Sequence, residues 1–310
     1  MINTKTNISG IPFASYVCNA SGPKCTTYEE LKKLGESGSS SLVMKTCTVL
    51  PSEGNPEPRL YSLNNRSLIQ SMGLPNLGYE EYIQLSSKLK VYGKPIVASV
   101  AGFTLDQYLL LVDAFQKSDV DLIEVNVSCP NISGKPQTGY DFKQMTDLLS
   151  LICCHGKKPI GLKLPPYFDP THWDFMADLF LSYNISFITC INSIGNTLFI
   201  DPWKRRTVIK PKKGFGGLSG KTIKPVALAN VRAFYERLGG KVSIFGAGGV
   251  TNGIDAFEFL LAGADAVQVG TLFEFEGTQC FSFVERRLER MLKYHGFTSL
   301  EEAKGQLQYL

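Results

Sequence analysis

The feature that most constrains the fold of this chain is a regular alternation of short apolar runs with longer amphipathic segments. β-branched or apolar runs occupy residues 41–44, Ile96–Val100, 122–127, Ile160–Leu164, 187–191, 242–245 and Ala266–Val269, with a shorter one at Ser67–Gln70. Helical spacing is found at residues 27–34, Tyr79–Leu89, 105–117, Phe142–Ile152, 173–181, 225–238 and 255–261. About eight β/α units of this kind predict an α/β protein built on a parallel sheet.

Two folds share this alternation, the closed barrel and the open, doubly wound sheet. The open sheet usually carries a G-x-G-x-x-G turn after its first strand, and no such turn occurs here. A chain of 310 residues also suits one α/β barrel. We therefore predict a (β/α)8 TIM barrel, with residues 1–310 forming a single domain.

Composition excludes several classes of function. Lysine and arginine total 32 against 28 acidic residues, so the small, dispersed excess of +4 argues against a nucleic-acid partner. The first ten residues are polar, and no apolar run approaches the length that crosses a bilayer. Eight cysteines form no C-x-x-C pair, and the three histidines lie too far apart to suggest a metal site. We expect a cytoplasmic protein that binds neither metal nor membrane.

Two lysines follow predicted strands, where barrel enzymes place their chemistry. Lys163 ends one apolar run before two prolines, and Lys45 follows another. A lysine at such a position can neutralise an anion, form a Schiff base once desolvated, or make a structural ion pair. The occurrence of two such lysines favours a catalytic role.

A thiol stands in the loop that follows residues 122–127. Cys129 lies between Asn126 and Asn131, in a segment that Pro130 stiffens. A thiol can serve as a nucleophile, a metal ligand, a base or an inert buried group. Since no histidine is near in sequence, a base that removes a proton from carbon is as plausible as covalent catalysis. We assign six other cysteines to the inert class, namely Cys18, Cys47, Cys153, Cys154, Cys190 and Cys280.

Glycines follow the last two predicted barrel strands. Gly248, Gly249 and Gly270 stand where barrels commonly bind phosphate through backbone N–H groups. Residues 210–220 read as a mobile glycine-rich loop, and residues 51–59 as a proline-rich one. Side-chain amides in segments 70–76 and 192–196 suit a planar, imide-like substrate, although amides also cap turns.

These motifs together resemble the dihydroorotate dehydrogenases, specifically the class 1A branch that reduces fumarate. The resemblance runs nearly end to end and is carried by residues 19–22, Lys45, 54–59, 71–78, 126–131, 134–137, 163–169, 192–196 and 227–231. It implies FMN-dependent oxidation of (S)-dihydroorotate to orotate in de novo pyrimidine (UMP) biosynthesis, with fumarate reduced to succinate. It also implies a homodimer.

The resemblance assigns roles to individual residues. Cys129 would be the base, and Lys163 and Lys45 would also be catalytic. The residues implied to bind FMN are Ala20, Ser21, Gly22, Lys45, Thr46, Asn126, Lys163, Ile191, Gly217, Gly220, Gly248, Gly249, Gly270 and Thr271. The residues implied to bind the pyrimidine are Lys45, Gln70, Ser71, Met72, Gly73, Leu74, Asn126, Asn131, Asn192 and Ser193.

Two positions depart from the family pattern. Gln70 replaces an asparagine that contacts the pyrimidine, and residues 203–206 are cationic where the family is more acidic. Gln70 leaves open an FMN-dependent dehydrogenase or reductase for another dihydropyrimidine or an enoate, or a flavin-binding protein without activity. An aldolase that uses Lys163 or Lys45 as a Schiff base is the remaining alternative.

Overall fold

The computed structural model of the protein describes residues 2–63, 66–128, 137–153 and 156–310. Within these ranges the strands are β1 (Thr6–Ile8), β2 (Ile11–Phe13), β3 (Val17–Asn19), β4 (Leu42–Val43), β5 (Leu60–Leu63), β6 (Ser67–Gln70), β7 (Ile96–Val100), β8 (Leu122–Asn126), β9 (Ile160–Leu164), β10 (Phe187–Cys190), β11 (Ile194–Leu198), β12 (Ile200–Asp201), β13 (Arg206–Thr207), β14 (Phe215–Gly220), β15 (Ser243–Ala247) and β16 (Ala266–Val269). The α-helices are α1 (Tyr28–Gly35), α2 (Tyr79–Leu89), α3 (Leu105–Gln116), α4 (Phe142–Ile152), α5 (Pro170–Ser182), α6 (Lys224–Leu238), α7 (Gly253–Ala262), α8 (Thr271–Glu276), α9 (Gln279–Tyr294) and α10 (Leu300–Ala303).

Eight of these strands run parallel in one sheet, in the order β3-β16-β15-β10-β9-β8-β7-β4. Helices connect them in sequence, which is the arrangement of a (β/α)8 barrel. The predicted TIM barrel is therefore confirmed, and most predicted strands and helices agree with the structure to within three residues at each end.

The barrel closes between β3 and β4, where a side chain replaces part of the backbone ladder. Asn19 is fully buried, its Nδ2 donates to Val43 O at 2.7 Å, and its Oδ1 accepts from Val43 N at 3.0 Å. Ser40 N adds a bond to Val17 O at 3.0 Å. These bonds satisfy buried backbone groups that two very short strands could not otherwise pair.

The amino-terminal half of the barrel interior is filled by apolar side chains. Val43, Val97, Leu122, Phe187, Phe245 and Ala266 pack there with Ile8 and Phe13 of the β1–β2 hairpin, which covers this end. The Phe187 ring occupies the space beside Gly161, where an added Cβ would lie 2.3 Å from the ring. Burial of these large side chains supplies much of the stability of the fold.

Three sequence predictions need correction. Ser67–Gln70 is a strand, but it belongs to an antiparallel sheet of order β11-β14-β6-β5, and the remaining barrel strand is Val17–Asn19. Residues 210–220, predicted as a mobile loop, contain β14. Helix Gln279–Tyr294 was not predicted. The strand Val17–Asn19 was missed because three residues are too few to show a hydrophobic period. Glycine-rich β14 acquires its structure by pairing with β6.

Candidate active site

A cavity of about 690 Å³ opens at the carboxyl ends of the barrel strands, next to the antiparallel sheet. Most residues predicted to bind cofactor or substrate line it: Ala20, Ser21, Gly22, Lys45, Thr46, Gln70, Met72, Leu74, Asn126, Lys163, Ile191, Asn192, Ser193, Gly220, Gly248, Gly249, Gly270 and Thr271. Among the described residues, the predicted Ser71, Gly73 and Gly217 do not line the cavity. Cys129 and Asn131 lie outside the described residues.

Lys163 is a buried cation in the wall of the cavity. It lies near the end of β9, paired in register with Asn126 of β8 and Thr189 of β10, and only 5% of its surface is exposed. Its Nζ forms no hydrogen bond with any described residue, although an ammonium can donate three. Burying a charge that no described residue pairs is costly, so this arrangement favours an anionic ligand in the cavity.

Lys45 occupies the corresponding position after β4. Its Nζ donates to Gly22 O at 2.7 Å, which ties the β4 end to the segment that follows β3. The ammonium therefore has a backbone partner and stands at the cavity wall. Lys45 is held in place before any ligand binds, whereas the hydrogen-bonding capacity of Lys163 is left for one.

A hydrogen-bond network of two side-chain amides and one hydroxyl involves Ser128, the residue before Cys129. Asn192 Nδ2 donates to Ser128 Oγ at 2.9 Å and to Asn126 Oδ1 at 3.3 Å. Ser128 Oγ donates to Lys163 O at 2.9 Å. These bonds join the ends of β8, β9 and β10 and fix the backbone immediately before the predicted base.

Five other described cysteines are unsuited to act as thiolates. Burial raises the pKa of Cys18 and Cys280 to about 12, and it also raises the pKa of Cys25, Cys47 and Cys190. A thiol with a raised pKa stays protonated at neutral pH and is a poor base. This agrees with the inert role predicted for Cys18, Cys47, Cys190 and Cys280.

Glycine-rich turns form the opposite end of the cavity, after β15 and β16. Gly249 has a φ of +83°, and a Cβ added to it would lie 2.6 Å from Lys224 Cβ. Thr271, the first residue of α8, donates from Oγ1 to Ser219 Oγ at 3.2 Å. Backbone N–H groups at such turns and helix starts are suited to an oxyanion such as phosphate.

Asp255 stabilises the glycine-rich turn that follows β15. Its Oδ2 accepts from Thr251 N at 2.7 Å, and its Oδ1 pairs with Lys224 Nζ at 2.7 Å. Burial by itself would raise the pKa of Asp255, but the hydrogen bonds from Lys224 and Thr251 outweigh it, and the pKa lies below its usual range. The carboxylate thus remains charged and holds the turn at neutral pH.

Gln70 uses its amide within the protein. Its Oε1 accepts from Met72 N at 3.1 Å, and its Nε2 donates to Ser193 Oγ at 3.4 Å. Gly217 allows this approach, since a Cβ there would lie 2.4 Å from Ser193 Oγ. Gln70 therefore links the antiparallel sheet to the loop after β10.

Sequence reasoning missed a second layer of polar residues. Glu124 and Gln268 lie inside apolar barrel strands, and both are almost completely buried. Gln268 also lines the cavity, together with Arg59 and Glu274 from distant segments. The available signal was a charged residue within a run that otherwise reads as buried strand, which needs a partner across the barrel.

Two further findings concern the described part of the chain. It contains no group of three or more His, Cys, Asp or Glu side chains placed to hold a metal ion. In the same ranges, no helix combines the length and hydrophobicity that crossing a bilayer requires.

Comparison with known proteins assigns the family. The model of the family described as dihydroorotate dehydrogenase matches residues 3–292. A Streptococcus agalactiae protein assigned as dihydroorotate dehydrogenase A (fumarate) is 46% identical over 314 residues, covering 100% of both chains. The dihydroorotate dehydrogenase (fumarate) of Lachancea kluyveri is 44% identical, covering 94% of each chain.

A solved structure shares the fold. The dihydroorotate dehydrogenase of Eimeria tenella in complex with ferulenol has a TM-score of 0.84 and 21% identity, covering 98% of this chain and 88% of that one. At this identity the likeness supports the barrel alone, and the sequence matches carry the assignment. The chain belongs to the dihydroorotate dehydrogenase family, which is flavin-dependent.

Proposed function

We propose that residues 1–310 form a single catalytic domain that oxidises (S)-dihydroorotate to orotate, with FMN as flavin and fumarate as electron acceptor. This reaction belongs to de novo pyrimidine biosynthesis. The observation that carries the proposal is the buried Lys163 ammonium, whose hydrogen-bonding capacity is left for a ligand at a barrel mouth. The names of the sequence relatives support the same substrate and acceptor.

The residues at both ends of the cavity suit FMN, with groups for its phosphate at one end and for its ring at the other. Gly248, Gly249, Gly270 and Thr271 provide a cradle for phosphate, which a side chain at Gly249 would obstruct. Lys163 supplies a cation for the flavin ring. The other residues assigned to FMN are Ala20, Ser21, Gly22, Lys45, Thr46, Asn126, Ile191, Gly217 and Gly220.

The residues of the chain divide the chemistry between them. Bound FMN would supply a hydride acceptor for C6 of the substrate. Cys129 takes the proton from C5, and the network around Asn126 and Ser128 orients the segment that leads to it. Lys163 offsets negative charge that develops beside it.

The pyrimidine is assigned to the side of the cavity formed by the antiparallel sheet and the ends of β4, β8 and β10. Lys45 offers a cation for the carboxylate of dihydroorotate. The amides and backbone of the remaining residues suit its imide edge, namely Gln70, Ser71, Met72, Gly73, Leu74, Asn126, Asn131, Asn192 and Ser193. Fumarate, a second planar carboxylate, fits the same side after orotate leaves.

Anaerobic titration of the purified protein tests donor, cofactor and acceptor in one experiment. The protein should be yellow, dihydroorotate should bleach the flavin absorbance, and fumarate should restore it. Protein that neither carries nor takes up FMN, or whose flavin stays oxidised with dihydroorotate, would contradict the proposal. In the latter case, borohydride trapping with carbonyl substrates would test the aldolase alternative.

A second candidate is an FMN-dependent dehydrogenase or reductase of another dihydropyrimidine or an enoate. The observation that favours it is the use of the Gln70 amide by Met72 and Ser193, which reduces what that amide can offer a substrate. Flavin bleaching with a panel of dihydropyrimidines separates the candidates. Faster bleaching by a compound other than dihydroorotate would favour the second.

We also infer that the protein is a homodimer. Leu198 and Phe215 pair across β11 and β14, and both are about 40% exposed, while Trp203 nearby in sequence is 93% exposed. A second copy could cover this apolar face of the antiparallel sheet. Light scattering should give twice the chain mass, and Trp203→Glu should shift the protein toward the monomer.

We infer a cytoplasmic location from cysteine usage. The spacing of the eight cysteines shows no disulfide framework. The six cysteines that the structure describes are free thiols, and Cys129 and Cys154 lie outside the described residues. Fractionation should recover the protein in the cytoplasm.

A further inference from the structure

Glu124 is a carboxylate inside the barrel, one layer below the cavity. It is fully buried on β8, two residues before Asn126. Its Oε2 accepts from Thr189 Oγ1 at 2.7 Å and from Gln268 Nε2 at 3.0 Å, and its Oε1 accepts from Ser99 Oγ at 3.3 Å. A buried carboxylate attracts the protons of neighbouring groups and thereby orients them.

A chain of hydroxyl groups connects this carboxylate to the cavity. Ser99 Oγ lies 2.8 Å from Thr46 Oγ1, which lies 2.9 Å from Ser21 Oγ. Ser21 and Thr46 line the cavity, whereas Ser99 is buried behind them. Asn126 Nδ2 also donates to Thr46 Oγ1, at 3.3 Å.

The carboxylate determines the direction of every bond in this chain, because a hydroxyl has one proton and two acceptor lone pairs. Ser99 gives its proton to Glu124, so Thr46 must donate to Ser99. Thr46 then accepts from Asn126 and from Ser21. Ser21 has used its proton as well, and it presents only lone pairs to the cavity.

We propose that Glu124 is a positioning residue that makes Ser21 a hydrogen-bond acceptor for an N–H or O–H donor of the bound flavin. This inference rests on the proposed function, since it takes FMN as the ligand. Glu124 does not line the cavity, so it acts through Ser99 and Thr46.

The substitution Glu124→Gln keeps the size of the side chain and reverses the hydroxyl chain. With Thr189 Oγ1 and Gln268 Nε2 donating as they do in the wild type, the new amide oxygen takes the place of Oε2 and the new NH2 group faces Ser99. Ser99 then accepts and passes its own proton to Thr46, which donates to Ser21. Ser21 now directs a proton at the flavin, where a donor meets a donor.

Titration of apo protein with FMN, followed by flavin fluorescence, measures this effect. We expect Glu124→Gln to raise the Kd for FMN about tenfold. Ser99→Ala should stay within about threefold of wild type, because Ser21 and Thr46 can then orient to suit the ligand. The double variant Glu124→Gln/Ser99→Ala should bind as Ser99→Ala does, since the chain that transmits the reversal is cut.

Three results would overturn the inference. One is a double variant that binds as weakly as Glu124→Gln, because a lost charge would then explain the effect. Another is a Glu124→Gln variant with wild-type affinity. If thermal unfolding shows that Glu124→Gln does not fold, Ser21→Ala replaces it, with an expected rise in Kd of about tenfold, and unchanged affinity there is the third result. A wild-type protein that does not bind FMN would instead contradict the proposed function.

Discussion

The two halves of the barrel interior are built from the same strands but filled in opposite ways. Near the amino-terminal ends, Phe187, Phe245 and their neighbours form a closed apolar layer. Near the carboxyl-terminal ends, Glu124, Asn126 and Lys163 occupy inward positions, and all three are buried. We call the apolar layer the floor and the polar layer the mouth. The floor stabilises the fold by burying apolar surface, whereas the mouth buries charged and polar side chains at a cost in stability so that it can bind a ligand.

The largest expected effect is at the mouth, on turnover. Cys129→Ala should lower the rate of flavin reduction by dihydroorotate at least a hundredfold, since it removes the proton acceptor. FMN binding and the free energy of unfolding should stay within about 0.5 kcal/mol of wild type. Anaerobic stopped-flow measurement gives the rate, with Cys280→Ala as the control. An unchanged rate would refute the assigned base.

The floor should respond in the opposite sense. Phe187→Ala should lower the free energy of unfolding by about 4 kcal/mol, because it leaves a cavity beside Gly161. The affinity of the folded protein for FMN should be unchanged. Urea unfolding checks this, with Phe168→Ala at a 64% exposed position as control. Equal losses from both substitutions would show that the apolar floor carries no special share of the stability.

Substitution of Lys163 tests the difference between the two layers, because it should weaken FMN binding without lowering the stability of the apo protein. Lys163→Met should weaken FMN binding about tenfold or more and slow flavin reduction, since the ring loses its cation. The unfolding temperature of the apo protein should stay equal or rise, because the substitution removes a buried charge that no described residue hydrogen-bonds.

The matched control is Lys94→Met. Its ammonium donates to Ser37 O at 2.6 Å and to Leu34 O at 3.3 Å, away from the cavity. This substitution should lower the unfolding temperature and leave FMN affinity unchanged. Apo protein destabilised as much by Lys163→Met as by Lys94→Met would contradict the distinction.

The smallest expected effect is on the free energy of unfolding, at the turn that Asp255 holds, and it depends on pH. The folded pKa of Asp255 is depressed, so its contribution is present above the unfolded pKa of about 3.9 and is lost as pH falls through the folded value. We expect Asp255→Asn to remove about 1 kcal/mol of stability at pH 7 and to flatten the loss between about pH 5 and pH 2. Urea unfolding across this range measures it, with exposed Asp178→Asn as control. A variant with the wild-type pH profile would show that this carboxylate does not brace the turn.

Local pattern predicted much of the fold. Apolar runs of four or more residues carry a readable period, so strands such as Ile96–Val100 and Ile160–Leu164 were placed correctly. The same pattern shows where each strand ends, and the polar residues at those ends do gather around one cavity. This follows because parallel strands in a barrel share one carboxyl face.

Other features depend on partners that are distant in the sequence. Residues Val17–Asn19 form a barrel strand because they pair with β16 and the Asn19 side chain reaches Val43. Glycine-rich Phe215–Gly220 is a strand because β6 lies beside it. Neither segment has a period or propensity of its own that would identify it.

The sequence by itself determined the barrel, the family and the residue types available for chemistry, because hydrophobic period, strand-end position and motif are local properties of the chain. The tertiary structure alone decided that the Gln70 amide is used by Ser193 and that a buried Glu124 orders hydroxyls 25 and more residues away. The physical reason is that a polar side chain takes its role from the donor or acceptor that meets it in space.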